Sequence, residues 1–158
     1  MVLQAKAQDS DCASFNVSAF EDFSPIERTG YVPFYKEKRH QALAVNAAEY
    51  PAEFALASHT VKNKKGKYNI EINTLSEIDG ESTYRILING KLVSEVQNKP
   101  SEEDWTVQTF NCGTVRLKPG DIISVAFNSH TNGKIPEGET TAYARGRWTG
   151  IKISTVCK

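Results

Sequence analysis

The stretch Tyr68-Asn-Ile-Glu-Ile-Asn73 decides the fold, because apolar and polar side chains alternate along it with a period of two. Successive side chains of an extended strand point to opposite faces, so Tyr68, Ile70 and Ile72 share one face and the polar residues share the other. The stretch Tyr84-Arg-Ile-Leu-Ile88 repeats the pattern. This alternation predicts strands with one face on a hydrophobic core and the other toward water.

Turn-forming dipeptides separate these strands at short intervals. Asn89-Gly90 fits a two-residue hairpin, because both residues tolerate a positive φ. Other Gly-containing pairs, such as Asp79-Gly80 and Pro119-Gly120, mark further reversals. We predict strands near 14–20, 41–47, 52–61, 67–75, 83–89, 91–97, 106–117, 121–128 and 147–156. Short strands with tight turns indicate an all-β protein, an antiparallel β-sandwich of the jelly-roll type.

Length and charge limit the organisation and the partners of the chain. Its 158 residues suit one domain, which we place at 12–158, with 1–11 as a flexible N-terminal segment or a cloning remnant. Lys and Arg together number 19, as do Asp and Glu, whereas a nucleic-acid surface normally needs an excess of cations. No apolar run is long enough to span a bilayer. We therefore expect neither nucleic acid nor a membrane as a partner.

Two long segments fit no strand, and enzyme motifs are absent from the sequence. Residues 29–40 are aromatic and basic, and residues 129–146 are long and polar. In a sandwich such connections lie at one rim, where binding groups usually occur. The sequence has no GxSxG, phosphate-binding Gly-rich loop, HExxH or EF-hand motif, and its histidines lack a partner at metal-ligand spacing. We expect no enzymatic activity.

Two tryptophans and neighbouring arginines are the candidate binding groups. Trp105 follows an acidic loop, and Trp148 ends the stretch Tyr143-Ala-Arg-Gly-Arg-Trp148. An exposed indole offers a flat apolar face to a pyranose ring, and guanidinium groups can bind hydroxyls or a charged substituent. Because Trp148 lies on the predicted final strand, it fits a core position equally well.

The arginines of this stretch suggest an anionic ligand. Arg145 and Arg147 are two residues apart, so an extended strand would point both to one face, about 7 Å apart. Such a pair suits a carboxylate or sulfate group of an acidic polysaccharide. The alternative is that both arginines pair with Glu137 or Glu139 in the preceding loop.

Several passages follow one another in an order that identifies a family. Residues 49–61 precede Lys65-Gly-Lys-Tyr-Asn-Ile-Glu-Ile72, and the hairpin Tyr84-Arg-Ile-Leu-Ile-Asn-Gly-Lys-Leu-Val93 comes next. The Trp105 loop and Val115-Arg-Leu-Lys-Pro-Gly-Asp-Ile-Ile-Ser-Val-Ala-Phe127 continue the series. This order resembles family 6 carbohydrate-binding modules and their relatives over roughly residues 41 to 156.

The resemblance implies a jelly roll that binds a polysaccharide without catalysis and targets a catalytic domain in the parent chain to it. In such modules a Trp ahead of a mid-chain strand and a Tyr clamp the sugar at the loop rim. Trp105 matches that Trp, whereas Tyr50 or Asn46 must replace the Tyr, and Arg147-Trp-Thr149 replaces the usual Asn-x-Asp. The predicted ligand site comprises Trp105, Tyr50, Arg145, Arg147, Trp148, Asn46 and Tyr143.

The resemblance also implies a structural calcium ion as the one cofactor to consider, although binding itself requires none. Two other functions remain open. One is an extracellular adhesion or assembly domain that uses Trp105 and Tyr31 at a protein interface. The other is a small jelly-roll lyase or hydrolase, which would need a His–Tyr or paired-carboxylate cleft.

The cysteines are the last signal. The first and last strands of a jelly roll commonly share a sheet, so Cys12 and Cys157 should come within disulfide range and leave Cys112 as a reduced thiol. The alternative is three free or buried thiols. A disulfide would require an oxidising compartment, and we therefore expect the protein to be secreted or at the cell surface.

Overall fold

The computed structural model describes residues 12–157, so the predicted N-terminal segment 1–11 lies outside the described residues. Strands dominate the chain, and one short helix follows the first strand. The elements are β1 (Ser14–Ser18), α1 (Ala19–Asp22), β2 (Ser24–Pro25), β3 (Tyr35–Glu37), β4 (Ala42–Ala44), β5 (Phe54–Thr60), β6 (Gly66–Ser76), β7 (Thr83–Ile88), β8 (Lys91–Gln97), β9 (Thr106–Leu117), β10 (Ile122–Asn128), β11 (Pro136–Glu137), β12 (Thr140–Thr141) and β13 (Trp148–Thr155).

Two antiparallel sheets form the sandwich. One has the order β3-β4-β13-β6-β9, with β1 also paired to β13, and the other has the order β2-β5-β10-β7-β8. Strands β11 and β12 form a separate two-stranded ribbon. The predicted all-β antiparallel sandwich is therefore confirmed. In the part of the chain that the structure describes, no helix has the length and apolar character needed to cross a membrane.

The core lies between the sheets and follows the predicted alternation. Tyr68, Ile70 and Ile72 of β6 are buried, as are Tyr84 and Ile86 of β7, while the residues between those of β6 are partly exposed. Burial of this apolar face contributes about 25 cal/mol for each Å² removed from water. The period of two in the sequence thus corresponds to the inward and outward faces of the strands.

The shortest strands were not predicted from the sequence, and the reason is physical. Strands of two or three residues, such as β2 and β3, are too short to show a period. The predicted strand 14–20 ends early, at Ser18, because Ser18 Oγ accepts a hydrogen bond from the Glu21 N–H (3.1 Å) and caps α1. The predicted strand 41–47 shortens to β4, because Asn46 begins a turn.

The loops gather at two ends of the sandwich. We call one end the rim, made of residues 45–53, 77–82, 98–105 and 129–147. The other is the base, made of residues 12–13, 61–65, 89–90, 118–121 and 156–157. The paired strands β6 and β9 run from one end to the other: Ser76 pairs with Thr106 toward the rim, and Gly66 pairs with Leu117 toward the base.

A disulfide between Cys12 and Cys157 links the two chain ends at the base, where their Cα atoms are 5.6 Å apart. It extends the pairing of β1 with β13, in which Ser14 lies opposite Ser154. Cys112 is a buried free thiol.

We expect the double substitution Cys12→Ser/Cys157→Ser to lower the free energy of unfolding by about 4–5 kcal/mol, because it frees a long loop in the unfolded chain. Denaturant unfolding measures this loss. The matched control is Cys112→Ser, which leaves the loop closed. Three free thiols in denatured, unreduced protein from an oxidising preparation would show that the bond does not form.

Candidate functional site

A groove with a volume of about 400 Å³ opens at the rim. It lies where the segment leading into β3, the loop from β4 to β5 and the segment before β13 meet. Aromatic rings and polar groups share its walls, and Phe34 also packs on the core through Phe127, with ring centroids 5.7 Å apart. The lining residues are Pro33, Phe34, Tyr35, Asn46, Glu49, Tyr50 and Arg145.

A single helical turn supplies three of these side chains. The Asn46 carbonyl accepts hydrogen bonds from the N–H groups of Glu49 (3.2 Å) and Tyr50 (2.9 Å). Residues three and four positions apart lie on one side of such a turn, so Asn46, Glu49 and Tyr50 face the groove together. Pro51 follows immediately and cannot continue the turn, because it lacks an N–H group.

Ser129 fixes the position of Tyr50 through the backbone. Its buried hydroxyl donates to the Tyr50 carbonyl and accepts from the Ala52 N–H, both at 2.8 Å. Ala52 has a φ of 61°, a left-handed conformation that costs energy in a residue with a Cβ. The strand end at Ser129 therefore holds a strained turn that places Tyr50 at the groove.

Arg145 closes the opposite side of the groove. Its Nη1 donates to the hydroxyl of Tyr35 at 2.9 Å, and the rest of the guanidinium group lies at an exposed position. A hydrogen bond with the Glu49 carboxylate raises the pKa of the Tyr50 hydroxyl. The groove thus presents aromatic faces beside both donors and acceptors, a combination that can stack on a sugar ring and bind its hydroxyls.

The predicted pair of arginines on one face is wrong. Gly146 separates them with a φ of 64°, and a Cβ at this position would lie 2.4 Å from the Asn128 carbonyl oxygen. The turn sends Arg147 into the interior, where its Nη1 donates to Glu77 Oε1. Glu77 Oε2 accepts from the Arg145 N–H at 2.8 Å. The internal partner is therefore Glu77, not the predicted alternatives in the preceding loop, and Arg147 is not a ligand-binding group.

The prediction that Trp148 binds ligand is also wrong. Its side chain is 0% exposed and is the largest fully buried one. Its ring meets that of Phe23 edge-on at 4.9 Å between centroids and that of Phe127 at 5.6 Å. A residue with no exposed face cannot stack on a sugar, so Trp148 belongs to the core, the alternative that its sequence position allowed.

Trp105 and Tyr143 do not line the groove. Trp105 is 37% exposed, but its ring contacts that of His40, with centroids 4.8 Å apart. The guanidinium carbon of Arg39 lies 4.7 Å from the Trp105 centroid. The structure thus brings together Tyr50, Asn46 and Arg145 of the predicted site and gives Trp105 protein partners of its own.

Sequence reasoning missed four lining residues: Pro33, Phe34, Tyr35 and Glu49. Three belong to the aromatic segment 29–40, which the sequence placed at the rim without assigning a role to its rings. The run Tyr31-Val-Pro-Phe-Tyr35 was the available signal. Glu49 could have been found from its position three residues after Asn46, had the turn been predicted.

The calcium ion that the resemblance implies stays a prediction. Between residues 12 and 157, no group of three His, Cys, Asp or Glu side chains is arranged so that it could hold a metal ion. The groove itself contributes a single carboxylate, that of Glu49.

Several solved structures similar to this chain are carbohydrate-binding modules. A family 36 module of a multidomain xylanase from the hindgut metagenome of Trinervitermes trinervoides matches with a TM-score of 0.60 and 10% identity, over 92% of this chain and 100% of that one. A family 35 module from Clostridium thermocellum matches with a TM-score of 0.55 and 12% identity, over 91% and 99%. The C-terminal family 6 module of a marine laminarinase from Zobellia galactanivorans matches with a TM-score of 0.53 and 12% identity, over 90% and 100%.

These matches confirm the predicted resemblance in the fold: the chain has the jelly-roll sandwich of these modules. No protein-family model matches the chain. A curated relative, Uncharacterized protein P23 of Formosa agariphila, is 31% identical over 135 residues, which cover 84% of this chain. The chain spans 30% of the length of that relative.

We expect Arg147→Met to lower the free energy of unfolding by about 3–5 kcal/mol at neutral pH, because it leaves a buried carboxylate without its counter-ion. Burial raises the pKa of Glu77, and the Arg147 charge opposes that rise. Without Arg147 the folded state holds the Glu77 proton more tightly than the unfolded chain does, so stability falls as pH rises above the ordinary value of 4.5.

Denaturant unfolding across this pH range measures the effect, and the loss should be smallest in acid. The matched control is Arg145→Met, which removes an exposed guanidinium group and should change stability by only about 0.5 kcal/mol. A pH-independent loss in Arg147→Met would contradict the ion-pair account.

Proposed function

We propose that the protein is a non-catalytic polysaccharide-binding module and that the rim groove holds the sugar. The observation that carries the proposal is the arrangement of Tyr50 beside Glu49 and opposite Arg145 in an open groove at the rim. The jelly-roll fold shared with carbohydrate-binding modules supports it, because their loops are carried on the same kind of scaffold.

The physical match is to a pyranose ring. Tyr50 and Tyr35 are each partly exposed, so each has an apolar face available and a hydroxyl group at its edge. A sugar hydroxyl both donates and accepts, and the groove offers the Arg145 donors, the Glu49 acceptors and the Asn46 amide, which does both. Because Ser129 and Glu77 hold the flanking backbone, little ordering entropy is lost when a ligand binds.

The charge of the groove bears on which sugar it takes. Arg145 and Glu49 give it one charge of each sign, which suits a ring rich in hydroxyls. The expected preference for an acidic or sulfated polysaccharide depended on two arginines on one strand face, and Arg147 is neutralised by Glu77. At this groove we therefore propose a neutral polysaccharide as the ligand.

The same residues support the proposal that the module is non-catalytic. Most glycoside hydrolases use two carboxyl groups, one on each side of the scissile bond. Among the described residues that line the groove, Glu49 is the one carboxylate, and no histidine accompanies it. A second acid or base at bonding distance from the sugar would be needed for turnover.

We further propose that the module targets a catalytic domain of its parent chain and acts outside the cell. This chain spans 30% of its Formosa agariphila relative, which leaves room for further domains in that protein. The structurally similar family 36 module belongs to a multidomain xylanase. The Cys12–Cys157 disulfide supports an oxidising, extracellular location.

We expect Tyr50→Ala to weaken polysaccharide binding by about 1–3 kcal/mol, because it removes a stacking face at the centre of the site. A glycan array identifies the ligand, and calorimetry with that glycan measures the loss. Trp105→Ala is the matched control, because it removes another exposed ring at the rim that lies outside the groove.

The two variants separate the possible sites. A loss in Trp105→Ala with unchanged affinity in folded Tyr50→Ala protein would move the site to Trp105. Failure of the wild-type protein to bind any glycan, together with capture of a protein ligand, would instead support an adhesion domain.

We expect no product from any glycan that the protein binds, because the groove lacks a second carboxylate. A reducing-sugar assay on pure protein, run with the glycan found by the array, checks this. Sustained product release that Glu49→Gln abolishes would overturn the non-catalytic assignment.

A further inference from the structure

Five of the cations at the base, the end of the sandwich opposite the groove, lie around the start of β6 and the end of β9. Three precede or begin β6 and two lie at the end of β9, and all five are exposed. We call this set the basic pole: Lys64, Lys65, Lys67, Arg116 and Lys118. The chain as a whole has no net charge, so this cluster reflects segregation of charge and not an excess of basic residues.

The rim carries the balancing acids. The loops that surround the groove end of the sandwich contain a series of exposed carboxylates, namely Glu49, Glu53, Glu102, Glu103, Asp104, Glu137 and Glu139. Positive charge is therefore concentrated at the base end of the long strands and negative charge at the rim end. An anionic polymer would be attracted to the base and repelled from most of the rim.

Within the basic pole, two like charges lie directly opposite each other. Lys67 of β6 and Arg116 of β9 are cross-strand partners, and both are exposed, so they share the outer face of the sheet. Like charges in this position destabilise a sheet. None of the ion pairs formed between residues 12 and 157 includes any of the five cations. Within the described part of the chain, this repulsive pair therefore has no acidic partner.

A concave surface lies within the basic pole. A groove of about 180 Å³ is lined by Lys65, Gly66, Arg116, Leu117, Lys118 and Asp121. Among the described residues that line it, Asp121 is the one acid; its carboxylate accepts hydrogen bonds from Asn89 Nδ2 (3.1 Å) and the Lys118 N–H (2.9 Å), and these bonds lower its pKa. Three cationic side chains therefore surround a small cleft.

We propose that the basic pole is a second binding site, for a sulfated or uronic-acid-containing polysaccharide, separate from the neutral-sugar groove at the rim. Guanidinium and ammonium groups bind sulfate and carboxylate groups through charge-assisted hydrogen bonds. The disulfide lies at the same end of the molecule and requires an oxidising compartment, which favours an extracellular polysaccharide over nucleic acid.

Affinity electrophoresis in dextran sulfate, with unsulfated dextran as the reference gel, tests the proposal. The wild-type protein should be retarded by dextran sulfate, and the retardation should weaken as salt rises. In Lys64→Gln/Lys65→Gln/Lys67→Gln the slope of log affinity against log salt should fall by about three, roughly one for each lost contact.

The matched control is Lys38→Gln/Lys99→Gln/Lys134→Gln, which removes the same number of exposed lysines away from the basic pole. It should bind dextran sulfate like the wild type, and so should Tyr50→Ala, since the rim groove is a different site. An equal loss in both triple variants would show that net charge alone matters and would overturn the site. So would wild-type protein that dextran sulfate does not retard, or duplex DNA that binds at least as tightly at the same salt.

Lys67→Glu gives an independent readout. It replaces a repulsive cross-strand pair with an attractive one, so Tm should rise by about 1–4 °C while dextran sulfate binding falls. A variant with both weaker binding and higher Tm has kept its fold, which excludes unfolding as the cause. An unchanged or lower Tm would contradict the repulsion on which the proposal depends.

Discussion

The candidate site depends on the interactions that the Glu77 carboxylate makes with Arg145 and Arg147. This carboxylate is buried, and it accepts hydrogen bonds from the Arg145 N–H and the Arg147 guanidinium group. A buried charge is tolerated only when such partners satisfy it. Because Glu77 holds the chain on both sides of Gly146, Arg145 faces the groove while Trp148 enters the core. The Glu77 carboxylate therefore determines the positions of two side chains: Arg145 at the groove and Trp148, the largest buried side chain, in the core.

The other side of the groove is held in a similar way, by a buried side chain that makes hydrogen bonds to backbone groups. Ser129 bonds to the Tyr50 carbonyl and the Ala52 N–H, and so holds a turn whose φ at Ala52 is unfavourable. A strained backbone conformation of this kind persists where several surrounding contacts hold it in place, often at binding sites. The groove is thus built from loops whose positions are set by the ends of β6 and β10, and the two sheets act as a rigid frame for it.

Much of the fold could be predicted from the sequence, because β6 buries every second residue from Tyr68 to Ile72, β7 does so at Tyr84 and Ile86, and the sequence shows that period directly. The site was predictable only in part. Tyr50 and Asn46, which line the groove, were predicted because a resemblance directed attention to their loop. The failures at Arg147 and Trp148 have one cause. Gly146 turns the chain out of the extended conformation, and Glu77, the ion-pair partner of Arg147, is far away in sequence. Spacing along a strand carries no information about such a turn.

The most direct test of the account is the site of sugar contact, read from amide chemical shifts of isotope-labelled protein titrated with fragments of the glycan that an array identifies. The account predicts that the largest changes occur at Asn46, Glu49, Tyr50 and Arg145, with the base unaffected by a neutral fragment. The account would be contradicted by shift changes centred on Trp105 and His40. It would also be contradicted by changes spread over the outer face of a sheet with none at the groove residues.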